Sequence, residues 1–330
     1  MSGQPTVPRR IDGHVHLIGD GSAGDGCWLR LDSVRMRWQG RFLMRAAGLP
    51  STALHTGLDA VFRRHLCEQI ETSSLDAVLL LAQEIPYDTQ GRALPEKAVF
   101  YASNEAVLHL ASEHSGRILP AVSIHPARGD ALDELERCAE AGARVMKLLP
   151  NCQNVDCNRS EYRAFWTRMS ELRMIFLAHT GGELSLPVFD ANYADPEILR
   201  TPLEAGVVCI AAHGAGRSAF IDPDYTESLF SMMDTYPHLY TDNSALSSLN
   251  RAGTARALLN SRHLNRVIHG SDFPIPVMPL GPRLRGLIDG SAARAAKIER
   301  NVLERDVLLK TAMRFPSESF TRLDRLLQAS

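Results

Sequence analysis

Eight short runs rich in Val, Ile, Leu and Ala recur along the chain, most of them about thirty residues apart, the length of one strand–helix unit. They are RRIDGHVHL from 9, LDAVLLLA from 75, RILPAVSI from 117, ARVMKLLP from 143, RMIFLAHT from 173, GVVCIAAHG from 206, HLYTDN from 238 and LNRVIHGSD from 264. A strand with one wet face alternates apolar and polar residues. These runs are nearly continuous, which marks strands buried on both faces, as in a parallel sheet covered by helices.

Amphipathic segments lie between the runs. In DALDELERCAEAG, residues 130–142, Leu132, Leu135, Cys138 and Ala139 fall on one helical stripe, and Gly142 supplies a stop. SEYRAFWTRMSEL, from 160, opens on Ser160 as the expected N-cap. Strand and helix alternating eight times predict an α/β protein of the (β/α)8 barrel type, the TIM barrel, with an open doubly wound sheet as the competing architecture. Such barrels reach this length as one unit, so residues 1–330 are expected to form one domain. Residues 295–330 read as C-terminal helices packed outside it.

Residues 17–60 break the rhythm, and no strand or long helix is expected there. This insertion follows the first strand, on the rim where barrel enzymes work. It carries Trp28, Arg30, Arg35, Arg37, Trp38, Arg41 and Arg45. These side chains are expected either to cover the mouth and hold an anionic or aromatic small molecule, or to form a solvated or subunit-contacting surface of a homo-oligomer.

The 36 basic and 38 acidic side chains leave a formal charge of −2, which provides no field to gather nucleic acid or an anionic membrane surface. The start, MSGQPTVPRR, is polar, and no apolar run approaches the roughly 18 residues of a spanning helix, so a cytoplasmic protein is expected. Cysteines 27, 67, 138, 152, 157 and 209 are scattered, as reduced thiols are in a cytosolic enzyme. Cys152 and Cys157 lack the second pair of a zinc site and read as loop thiols.

Chemistry concentrates at strand ends. Side chains two apart on a strand share a face, so His14 and His16, with Cα atoms roughly 6.6 Å apart, can reach one ion from the inner wall while Val15 faces the helices. Later runs close on Lys147, His179 and His213, and Asp272 follows the eighth. Barrel enzymes draw their catalytic groups from these ends.

This pattern, HVH after the first strand, AHTGGE, AAHGAGRS and HGSDFP, resembles the amidohydrolase superfamily over nearly the whole chain. More narrowly, it is similar to the amidohydrolase-related branch, which holds metal-dependent hydrolases and decarboxylases akin to aminocarboxymuconate semialdehyde decarboxylase. The resemblance implies that His14, His16, His179 and Asp272 ligate a divalent metal, most often zinc, with one or two ions present. It implies His213 as a second-site ligand or as the group that polarises water or substrate. It places Lys147 where binuclear relatives carry a carboxylated lysine. Asp272 would act as the catalytic proton acceptor. The implied reaction is hydrolysis of an amide, ester or lactone, with nonoxidative decarboxylation as the alternative and a metal-dependent binding protein without turnover as the third reading.

Other features are weaker. GDGSAG, 19–24, spells GxGxxG but opens no compact strand–helix unit, so rim glycines are the better reading. No GxSxG elbow, P-loop or HExxH occurs. His125 reads as a turn residue or a substrate contact, His109 and His114 as surface residues. Asn151 and Gln153 are candidates for substrate hydrogen bonds, and Glu183 for a partner of the metal ligands or a helix-start acid.

Overall fold

A computed structural model of the chain describes residues 7–50, 52–219 and 221–329; residues 1–6, the first six of the ten in the polar start, lie outside them. All eight apolar runs form parallel strands: β1 Ile11–His16, β2 Ala77–Leu81, β3 Ile118–Val122, β4 Val145–Leu148, β5 Ile175–Ala178, β6 Cys209–Ala211, β7 Leu239–Asp242 and β8 Val267–Ile268. Each pairs with its sequence neighbour in one eight-stranded sheet. Beyond β8 the chain returns to β1, where Gly13 N donates to His269 O at 2.8 Å and His16 N to Phe273 O at 2.8 Å, closing the (β/α)8 barrel.

The period-two geometry of a strand sorts its side chains into two layers. Ala77, Leu79, Leu81, Val145, Ile175, Leu177 and Ile210 form the inner cluster. Their neighbours Val78, Leu80, Met146, Phe176 and Cys209 pack outward against helices. β1 departs from this. Ile11 is in the inner cluster but Val15, four residues on, is in the outer one, because the register with β2 shifts between Asp12 and Val15. This irregularity re-aims the strand end, as bulges beside active sites do, and turns His14 and His16 inward.

The helix predicted at 130–142 spans Ala131–Glu140, with Gly142 behind it at φ 96°. Leu135 and Cys138 are buried, whereas Leu132, assigned to the same stripe, is 42% exposed, because the buried stripe runs through Ala131, Leu135 and Cys138. Ser160 does not cap the next helix: it opens a 3-10 turn, Ser160–Tyr162, and the α-helix runs Arg163–Glu171. Its hydroxyl bonds to Glu161 instead of a free backbone N–H.

The insertion is also more ordered than its sequence suggests. A 13-residue helix, Val34–Ala46, is capped by Ser33, whose side chain accepts from Met36 N, and only Met44 on it is buried. The sparse core-facing stripe is why periodicity missed it. Trp28–Leu29 pairs antiparallel with Phe100–Tyr101. At the other end of the chain, helices Gly290–Ile298, Val302–Ala312 and Ser317–Ala329 follow the barrel. The last is not merely external, since its Leu323 joins the inner cluster. No helix of the described residues is long and apolar enough to cross a membrane.

Candidate active site

The polar strand ends meet on the floor of a cavity of about 800 Å³, lined by His16, Lys147, His179, His213, Arg251 and Asp272. Asp272 Oδ1 lies 3.3 Å from His14 Nε2 and 3.3 Å from His16 Nε2. The three donors are in mutual reach of one cation. Asp272 has φ 68°, a left-handed conformation costly for a residue with a Cβ, and its N–H donates to His14 O at 2.9 Å. Gly270 allows this loop to approach β1: a Cβ there would sit 2.8 Å from His14 Cβ and 3.1 Å from Ser244 Cβ.

His179 and His213 form a second group, with His213 Nε2 3.1 Å from His179 Nδ1. They are not in the cluster of His14, His16 and Asp272. Alternation from Ile210 and Ala212, both inward, would send His213 outward; its φ of 61° turns it back into the barrel. Lys147 continues the inward parity of Val145, is fully buried, and its Nζ makes no hydrogen bond among the described residues.

Three neighbours of these side chains escaped the sequence reading. Asp242, at the end of β7, accepts from His14 Nδ1 at 2.8 Å, His213 N at 2.7 Å and Ser244 N at 3.0 Å. Ser244 Oγ bonds both Asp242 and, at 2.7 Å, His213 Nδ1. Arg251 is buried and donates to the carbonyls of Gly216 and Gly182, bracing the loops after β5 and β6. The strand-end position of Asp242 in YTDN was the available signal.

Burial dominates the electrostatics. It lowers the His14 pKa to about 4, with Lys147 adding to the effect, and holds His179 and His213 well below the usual imidazole value. These rings are neutral at pH 7, the form that offers lone pairs. Burial also lowers Lys147 to about 8, against the pull of Asp242 and Asp272. It pushes the Asp242 carboxyl up, but His14 and the bonds it accepts outweigh this and keep it ionised.

Glu183 belongs to the site and opens no helix: its Oε2 is 3.5 Å from His179 Nε2, and its other oxygen accepts from Ser185 N and Leu186 N. The remaining candidates are structural. His125 uses both ring nitrogens, on Gln153 O at 3.0 Å and Ala127 N at 3.1 Å, and Gln153 spends its amide on Glu84 O and Leu149 N. Neither lines the cavity, nor does Asn151. Of the rim residues singled out in the insertion only Arg35 lines it; Arg30 and Arg37 bond backbone carbonyls, and Trp38 is 67% exposed.

The fold recurs in solved structures. An uncharacterised TIM-barrel protein from Bordetella bronchiseptica matches at 15% identity and TM-score 0.60, over 96% of this chain and 99% of that one. An IDCase from Metarhizium anisopliae matches at 11% identity and TM-score 0.53, over 97% of each chain. The 5-carboxyvanillate decarboxylase of Sphingomonas paucimobilis matches at 13% identity and TM-score 0.50, over 94% of this chain and 100% of that one. At these identities the likeness is one of fold. No curated protein sequence matches the chain. The amidohydrolase family model matches residues 11–314, a span that includes all eight strands, and the chain belongs to that family.

Proposed function

We propose that the protein is a metal-dependent hydrolase that opens an amide, ester or lactone bond of a small molecule. The observation that carries this reading is the spacing of His14 Nε2, His16 Nε2 and Asp272 Oδ1. Donors bound at about 2.0–2.1 Å to one tetrahedral centre lie about 3.3 Å apart, and both imidazole–carboxylate distances here are 3.3 Å. His14 Nε2 and His179 Nε2 are buried without a hydrogen bond among the described residues. The donor set fits a divalent ion, with zinc the first candidate for imidazole and carboxylate together.

His14, His16 and Asp272 would hold the ion, with His179 beside them as a further ligand. When bound, such an ion supplies Lewis acidity at neutral pH. Asp272, ionised at the cavity floor, accepts the proton of the attacking water and returns it to the leaving group. Ser244 Oγ donates its hydrogen bond to Asp242, so its oxygen accepts from His213 Nδ1. This leaves a lone pair on His213 Nε2, which accepts from His179 Nδ1 at 3.1 Å and so directs the free lone pair of His179, on Nε2, toward the ion. Lys147 is the adjacent amine that a carboxylated, two-ion form would modify.

The second reading, nonoxidative decarboxylation, rests on the unpaired Lys147 and the buried Arg251, two cations on the floor able to receive a carboxylate. Turnover in ¹⁸O-labelled water separates the two. Hydrolysis by attack on the carbonyl puts one label into the new carboxyl group. Release of carbon dioxide with no label retained in the organic product would overturn the hydrolase reading.

A further inference from the structure

Helix Val34–Ala46 turns its regular stripe toward the cavity. Met36, Gln39, Gly40 and Leu43, spaced three and four apart, line the cavity together with Arg35, Phe42 and Met44, and of these Met44 alone is buried. A stripe at this spacing ordinarily faces a core. Here it faces the cavity, whose lining outside the helix includes the apolar side chains of Leu186, Leu249 and Met278.

The lining is therefore divided. Lys147, His179, His213, Glu183, Arg251 and Asp272 occupy the floor; above them, among the described residues, Arg35 is the only charged side chain on the wall. The volume, about 800 Å³, lies in the upper part of the range that encloses drug-sized ligands. A small polar substrate would fill the floor and leave the upper wall in contact with water, at a cost set by its apolar area.

We propose that the substrate is amphiphilic: an acyl or comparably extended apolar body lies between helix Val34–Ala46 and the Leu249–Met278 wall, and its reacting polar group points down to His16 and Asp272. This rests on the reading of the floor as the reaction centre and adds the substrate class. Met36 and Leu43 then determine specificity, by contact with the body and not with the reacting bond.

The test is a binding series that requires no turnover. Straight-chain carboxylates from four to twelve carbons are titrated into the purified protein by calorimetry, and metal content is measured on the same sample. Each added methylene is expected to tighten binding roughly three- to fourfold, the value of one buried CH₂, until the cavity is filled. Leu43→Glu and, as a second variant, Met36→Glu are expected to flatten the series while metal content stays as in the parent. Both side chains are half-buried, so the protein tolerates a charge there. A flat series in the parent protein, or tightest binding of the shortest acid, would overturn the proposal. Protein that gains affinity with chain length but holds no metal would uphold the amphiphilic cavity and remove the hydrolase reading instead.

Discussion

His14 gives its Nδ1 hydrogen to Asp242 across 2.8 Å, with both side chains fully out of solvent. An ionised carboxylate only accepts, so the proton is fixed on Nδ1 and the lone pair on Nε2, facing Asp272. The same Asp242 receives Ser244, which receives His213. One carboxylate thus sets the tautomers of two rings on two different strands. Asp242→Asn weakens the charge-assisted bond and is expected to lower divalent-metal affinity about 10–100-fold, the usual effect of removing a ligand's orienting partner. Competition with a chromogenic chelator measures this, and parent-like affinity would show that Asp242 does not orient the ligand.

Metal removal should separate chemistry from folding. The two outer clusters between strands and helices contain none of the proposed ligands. Dialysis against a chelator is therefore expected to abolish turnover with little change in far-ultraviolet circular dichroism, and His14→Ala or Asp272→Ala to lower kcat/KM by on the order of a thousandfold or more. Full activity in metal-free protein would remove the proposed mechanism.

Gly270→Ala tests the approach of the HGSD loop to β1. The added methyl group meets His14 Cβ at 2.8 Å and Ser244 Cβ at 3.1 Å, and both belong to packed strand ends. The expected loss is about 1–3 kcal/mol, as for other overpacked sites. It should be accompanied by weaker metal binding, because the contact displaces His14 itself. Urea denaturation and metal titration of one preparation give both numbers.

Behind that loop, Lys310 Nζ lies 2.6 Å from Asp306 Oδ2 with neither side chain exposed, and it also donates to Gly270 O. Lys310→Met leaves a buried carboxylate without its partner and is expected to cost about 3–5 kcal/mol. Asp306→Leu combined with Lys310→Met removes both charges and should recover most of that loss. Equal destabilisation in the single and double variants would mean that the pair matters through the Gly270 carbonyl instead.

Much of this was legible in one dimension. The eight apolar runs became the eight strands because burial on both faces leaves no polar alternation, a signal each run carries by itself. Helix Val34–Ala46 was not legible, since it packs only Met44 into the core and spends its stripe on a cavity. Ser160 was misread because a hydroxyl ahead of an apolar segment caps an α-helix or sits in a 3-10 turn with the same local sequence.

The sequence alone determined the eight buried strands and the residue types at their ends, because both follow from short-range periodicity: an apolar run must be buried, and a polar residue closing it must emerge at the rim. Tertiary structure decided which of those residues meet. The shift in β1, the left-handed residues His213 and Asp272, and the arrival of Asp242 beneath His14 depend on strands more than two hundred residues apart closing against each other. No local pattern encodes that closure, since its energy comes from packing the whole barrel.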